Sequence, residues 1–229
     1  MADVAMGTFL SQDRPITGEV FRSASAPQPT LLLVHGAGGT MVRHKWYRHL
    51  ATLLAEKGFA VWFVHYFEST GTGVADREVA HQHYWRWNQT LVDAVSFISR
   101  QPNVITDRIG VIGLSLGGTL ALTVAAQAPK VGAVALFFCE IPKVVLPYIH
   151  SLPPALVVHG KGDQWIPVAQ AYRLKRWLQR RNMPCELKIY SGEGHVFRDE
   201  TVDDAMEAAA VFFKKYLRPD WPANRALRT

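Results

Sequence analysis

Ser115 stands in the run Gly113-Leu114-Ser115-Leu116-Gly117-Gly118, directly after the apolar stretch RIGVIG and directly before TLALTVAAQA. A serine hydroxyl on so tight a strand-to-helix turn needs small residues two positions either side. There it is lifted out of a sheet and faces a helix N-terminus. Such a hydroxyl is a poor nucleophile until a base takes its proton and an acid orients that base. Further along, ALVVHG runs into Lys161-Gly162-Asp163-Gln164-Trp165-Ile166-Pro167, and ELKIYS runs into Gly192-Glu193-Gly194-His195-Val196-Phe197. Asp163 and His195 therefore each fall on the loop after a later strand, in the chain order serine, acid, histidine. In these roles His195 is the general base and then the general acid, while Asp163 fixes its tautomer.

Other residues compete less well. Glu140 ends VGAVALFF but lacks the turn setting around Asp163, and Asp199, Asp203 and Asp204 read as the start of the last helix. His44 and His49 fall on a helix, His81 and His83 precede one, and His65, His150 and His159 lack the spacing to an acid and a nucleophile. The Gly-rich run His35-Gly36-Ala37-Gly38-Gly39 follows TLLLV. A tetrahedral oxyanion requires two backbone N–H donors about 3 Å away, and Leu116 and Ala37 are the expected pair. Neither glycine pattern of nucleotide binding, G-x-G-x-x-G or G-x-x-x-x-G-K-[ST], occurs there.

To bring these loops together, the chain must alternate strands and helices. TLLLVHG, AVWFVHY, RIGVIG, VGAVALFF, ALVVHG and ELKIYS are mostly continuous apolar runs, as for parallel strands covered on both faces. Helical stretches are expected at 44–57, 83–100, 116–127, 168–181 and 202–216. The last places acids in its first turn and lysines in its last, matching the helix dipole. The result is an α/β chain with a mostly parallel sheet flanked by helices, read as a single domain over 1–229 with a core at about 17–217. TGEVFRS at 17–23 supplies an antiparallel edge. Connections at 67–82 and 139–154 are long, though neither suffices for a separate cap.

The set HGAGG, GLSLGG, GKGDQWIP and GEGHVF resembles the α/β-hydrolase fold and, within it, the dienelactone hydrolase-like family, over roughly residues 17 to 217. Two positions depart from that family's pattern. Ser115 stands where its dienelactone-cleaving members carry a cysteine, and His35-Gly36 stands where they carry a glutamate. The resemblance implies a serine ester hydrolase, with lactones and thioesters as variants. A non-catalytic binding protein on the same fold, or a dienelactone or peptide hydrolase, is the alternative. It also implies an arginine for a substrate carboxylate, for which Arg198 is placed, although an Arg198 paired with Asp199 or Glu200, or simply solvated, is the simpler expectation.

Tyr66, Trp165 and Phe197 fall on loops at the carboxyl end of the sheet and are the candidate pocket residues. Acyl transfer of this kind requires neither metal nor organic cofactor. Twenty-five Lys and Arg against nineteen Asp and Glu leave a net charge of +6. The densest cluster, Arg173, Lys175, Arg176, Arg180 and Arg181, reads as a solvated helix face rather than a nucleic-acid surface. The expected partner is a small ester-type molecule, with no nucleic acid and no membrane, for a monomer or homodimer. Cys139 and Cys185 are too few for a disulfide framework, and the first twenty residues lack a signal-peptide core, so a cytoplasmic location is expected.

Overall fold

The computed structural model describes residues 2–24, 27–102 and 104–217, so the last twelve residues of the single-domain expectation lie outside them. Eight strands form one sheet: β1 (Asp3–Ser11), β2 (Arg14–Arg22), β3 (Gln28–Val34), β4 (Ala60–Val64), β5 (Val104–Leu114), β6 (Val131–Phe137), β7 (Ala155–Gly160) and β8 (Cys185–Tyr190). Their spatial order is β1-β2-β4-β3-β5-β6-β7-β8. From β4 onward across the sheet every pair is parallel. Among the described residues the α-helices are α1 (Gly39–Glu56), α2 (Arg77–Ile98), α3 (Leu116–Gln127), α4 (Ala169–Gln179) and α5 (Asp199–Tyr216).

The continuous apolar runs are explained by cover on both faces. One core gathers Trp87 and Leu91 of α2, Leu120 of α3 and Leu174 of α4 beneath alternate strand residues such as Leu32, Val34 and Val111. The other gathers Leu50 and Leu54 of α1 and Phe212 and Phe213 of α5 beneath Leu31, Leu33 and Ile112. Each such side chain, fully withdrawn from water, contributes about 1.5–3 kcal/mol. No helix among the described residues is long and apolar enough to cross a membrane.

Three expectations shift. The antiparallel edge is a hairpin rather than one strand: β1 pairs with β2 from Asp3↔Arg22 to Ser11↔Arg14. Its turn residues Gln12 and Asp13 adopt φ of 49° and 64°, the left-handed geometry that matches hairpin twist. Second, α2 begins at Arg77, because the Asp76 side chain accepts the Val79 N–H at 2.9 Å as an N-cap. The long connection there is correspondingly shorter and holds a 3-10 turn over Tyr66–Ser69. Third, α1 begins at Gly39, ahead of the apolar periodicity that marks it, while α5 begins at Asp199, the first of the acids read as its start.

Candidate active site

After the β1–β2 hairpin at one edge, the chain passes to β3, turns back toward that edge through β4, then crosses over so that β5 lies on the other side of β3. At such a reversal, loops leaving adjacent strands diverge and open a crevice at their carboxyl ends. Val34 is in register with Gly113, so the loop holding Ala37 and the turn holding Ser115 leave side by side.

That turn is strained. Ser115 has φ 56° and ψ −121°, a conformation costly for a non-glycine residue. The glycines around it are required by close approach. A Cβ on Gly113 would lie 2.1 Å from Gly117 O, and one on Gly117 would lie 2.3 Å from Val34 O. The loop opposite is pinned by two buried tyrosines. Tyr66 OH donates to His35 O at 3.0 Å, and Gly36 N–H donates to Tyr47 OH at 2.7 Å. Gly36 itself packs within 3.2 Å, measured from its would-be Cβ, of Ser115 Cβ. This sets Ala37 beside the serine.

The three residues singled out for acyl chemistry meet. Ser115 Oγ lies 3.0 Å from His195 Nε2, and His195 Nδ1 lies 2.8 Å from Asp163 Oδ2. Asp163 is buried, and its other oxygen accepts the N–H groups of Trp165 at 2.9 Å and Ile166 at 2.8 Å. Those two bonds close the Asp163 turn and leave Oδ2 for the histidine.

His159 also reaches this carboxylate, although spacing to a nucleophile gave it no role. Its Nε2 is 2.8 Å from Ile166 O and 3.2 Å from Asp163 Oδ2. Both are acceptors, so Nε2 carries the proton and is shared between them. Burial, working against the Ile166 carbonyl and the Asp163 charge, holds the His159 pKa below its ordinary value. The ring is neutral and acts as a donor. The signal available in sequence was the four-residue separation of His159 and Asp163 across the end of β7.

The His195 loop is fastened from below. Glu193 is buried and accepts the Arg198 N–H at 3.1 Å, Arg198 Nε at 2.8 Å and the Thr201 hydroxyl at 2.7 Å. Burial raises its carboxyl pKa, but these donors outweigh that and leave it below the usual carboxylate range. Arg198 is thus paired with Glu193, not with Asp199 or Glu200 as expected. Glu140 does not replace Asp163: it is Asp163 that meets His195, while the Glu140 carbonyl accepts the Thr119 hydroxyl at 2.7 Å.

Of the candidate pocket residues, only Trp165 presents a surface. It is 73% exposed, and its ring centroid lies 4.9 Å from that of His195. Tyr66 is fully buried and stacks on His35 at 4.1 Å. Phe197 is buried against Phe138 and Tyr190. Both are supports rather than walls, because an aromatic at the end of a strand can face either the crevice or the core. Cys139 lies under Gly118, where burial pushes its thiol up to about 12, so it is an inert filler rather than a nucleophile.

Carboxymethylenebutenolidase of Rhodococcus opacus is 27% identical over 194 residues, covering 75% of this chain and 76% of that protein. The crystal structure of a dienelactone hydrolase from Anabaena variabilis superposes with a TM-score of 0.71 at 20% identity, over 95% of this chain and 99% of that one. Brefeldin A esterase, a bacterial protein, gives 0.73 at 17% identity, over 95% and 78%. These structures share the α/β-hydrolase sheet and its flanking helices. The dienelactone hydrolase family pattern matches residues 16–216, from the second strand through the last helix, and the chain belongs to that family.

Proposed function

We propose that the protein hydrolyses carboxylic esters and lactones through an acyl-enzyme on Ser115. The observation that carries this reading is the continuous chain Ser115–His195–Asp163, with contacts of 3.0 and 2.8 Å on three loops at one end of the sheet. Ser115 Oγ attacks the carbonyl carbon as His195 Nε2 takes its proton, and the carbonyl oxygen becomes the oxyanion. The N–H groups of Ala37 and Leu116 are the donors assigned to that oxygen. As the tetrahedral intermediate collapses, His195 returns the proton to the leaving alkoxide. Water then attacks the acyl-serine with the same histidine as base, releasing the acid and restoring the serine hydroxyl.

Trp165 forms the exposed wall beside His195 for the acyl or alcohol group. Two free thiols, Cys139 and Cys185, accord with action in a reducing cytoplasm. The test is hydrolysis of chromogenic esters of graded acyl length and of a simple lactone, alongside labelling by a fluorophosphonate. Turnover with a single label that disappears in Ser115→Ala is the expected result. Turnover that survives in Ser115→Ala overturns the reading.

A further inference from the structure

A second constellation lies at the β2–β4 edge and contains none of the residues assigned to acyl transfer. The antiparallel ladder pairs Glu19 with Phe63 and ends with His65 N–H donating to Thr17 O at 3.0 Å. Thr17 and Glu19, two apart, fall on the same face of β2, and His65 follows β4 directly. The helix α1 brings His44 and Arg48 over them. His44 Nε2 lies 2.5 Å and His65 Nε2 lies 3.2 Å from the same oxygen, Glu19 Oε1. The Glu19 side chain is only 2% exposed, and its other oxygen is held by Arg48.

Hydrogen-bond polarity makes this arrangement specific. Glu68, in the 3-10 turn, accepts the Thr17 hydroxyl at 2.7 Å through Oε1 and the Thr17 N–H at 2.7 Å through Oε2. The Thr17 hydroxyl proton is thereby committed to a carboxylate. At 3.0 Å from His65 Nδ1, the same oxygen must accept, so Nδ1 carries the ring proton. A neutral His65 then turns the bare lone pair of Nε2 toward the carboxylate oxygen of Glu19. Two acceptors at 3.2 Å repel unless a cation sits between them, and that cation is either a second ring proton or a metal ion.

We propose that His44 Nε2, His65 Nε2 and Glu19 Oε1 form a three-ligand site for a divalent transition metal of the zinc class. The ligand atoms all lie within 4.8 Å of one another. Bonds of about 2.0–2.1 Å in a tetrahedral set separate ligands by about 3.3 Å, so modest side-chain rotation suffices. Imidazole and carboxylate are ligands for this class of ion. The surrounding contacts are those that orient ligands: His65 donates through Nδ1 toward the Thr17–Glu68 pair, and Arg48 holds the Glu19 oxygen that does not ligate. His44 is 42% exposed at its side chain, which leaves the fourth position open to water. Bound there, the ion ties β2, α1 and the turn after β4 together. The sequence pointed to no metal ligands, and acyl transfer at Ser115 needs none, so the proposed ion stands apart from that chemistry.

The test is calorimetric titration of the full chain with Zn²⁺, repeated with Co²⁺ while following its visible absorption. One equivalent is expected, with a tetrahedral Co²⁺ spectrum and a rise in Tm on adding Zn²⁺. His44→Gln, a half-exposed replacement that leaves Glu19 and Arg48 paired, is expected to weaken binding at least about tenfold and to abolish the Tm rise. Glu19→Gln and His65→Gln should do the same where they fold, and His44→Gln decides alone where they do not. Absence of binding to the wild type overturns the site, leaving a ring proton as the cation. So does affinity unchanged in His44→Gln, or affinity lost instead in His81→Gln or His83→Gln.

Discussion

The hydroxyl of Ser115 lies 3.0 Å from His195, and His195 lies 2.8 Å from the buried Asp163 carboxylate, so in the proposed mechanism the three side chains act as one unit. Ser115→Ala and His195→Ala should each remove nearly all ester turnover with the fold intact by circular dichroism, and the double variant should be scarcely worse than either. Additive losses would mean the two residues act separately. Asp163→Asn should lower kcat by about 10³–10⁴ through the wrong histidine tautomer. His159 allows a finer prediction. It donates to Asp163 Oδ2 and to Ile166 O without touching the serine, which makes it a positioning residue. His159→Leu should lower kcat roughly tenfold, the worth of one hydrogen bond to a charged acceptor, with little change in KM. His159→Gln, which keeps a donor, should recover much of that loss. If KM moves instead, or Gln does not rescue, His159 only fills space.

Elements set these residues by backbone contact, and the turn around Ser115 shows how tightly. Gly117→Ala would place its Cβ 2.3 Å from Val34 O and 2.4 Å from His35 O, both backbone atoms that cannot swing aside. Urea unfolding should show a loss of about 1–3 kcal/mol or more, with activity falling as β3 and α3 are pushed apart. Gly192→Ala is the control, because its Cβ meets only the end of the Arg198 side chain at 3.3 Å, and it should cost a few tenths. This spacing was legible in the sequence, since G-x-S-x-G-G between an apolar run and a helix has few other uses. The parallel strands were legible for a related reason: burial on both faces demands uninterrupted apolar runs. Strand β1 was not. Among its nine residues only Phe9 and Ser11 are buried, and Gly7 is there because the Trp62 ring occupies the space of a side chain. An edge strand with one partner need not alternate. Tyr66, Phe197, Glu193 and His159 were illegible in role, because pinning a loop leaves no spacing rule and depends on which way one side chain turns.

At the scale of the whole molecule, function rests on loops held at a sheet's crevice by groups buried beneath them, and burial makes those groups sensitive to acid. His35 is fully buried, stacked between Tyr66 and the edge of Phe67. Its Nδ1 donates to Gly36 O at 2.9 Å, and its Nε2 has no hydrogen-bond partner among the described residues. Burial outweighs the Gly36 carbonyl and lowers its pKa to about 3. An unfolded histidine takes its proton near pH ~6.5. Between those values the unfolded chain binds more protons than the folded one, so stability rises with pH and falls as the medium is acidified. From pH 6.5 to 5.0 this one residue should cost about 1.6 kcal/mol, the slope approaching ~1.36 kcal/mol per unit as the unfolded histidine becomes fully protonated, and His159, lowered in the same sense, adds to it. The buried Glu193 carboxylate, held below its usual range, withdraws its own contribution only at lower pH, as it becomes protonated. A decline above about pH 5 is therefore carried by His35 and His159 rather than by Glu193. Urea midpoints measured at half-unit steps from pH 7.5 to 5.0 should decline, and His35→Gln should flatten the slope whatever it does to the midpoint itself. A wild-type midpoint constant over that range would mean that His35 accepts its proton in place, and the loop holding Ala37 would then have to carry a buried charge.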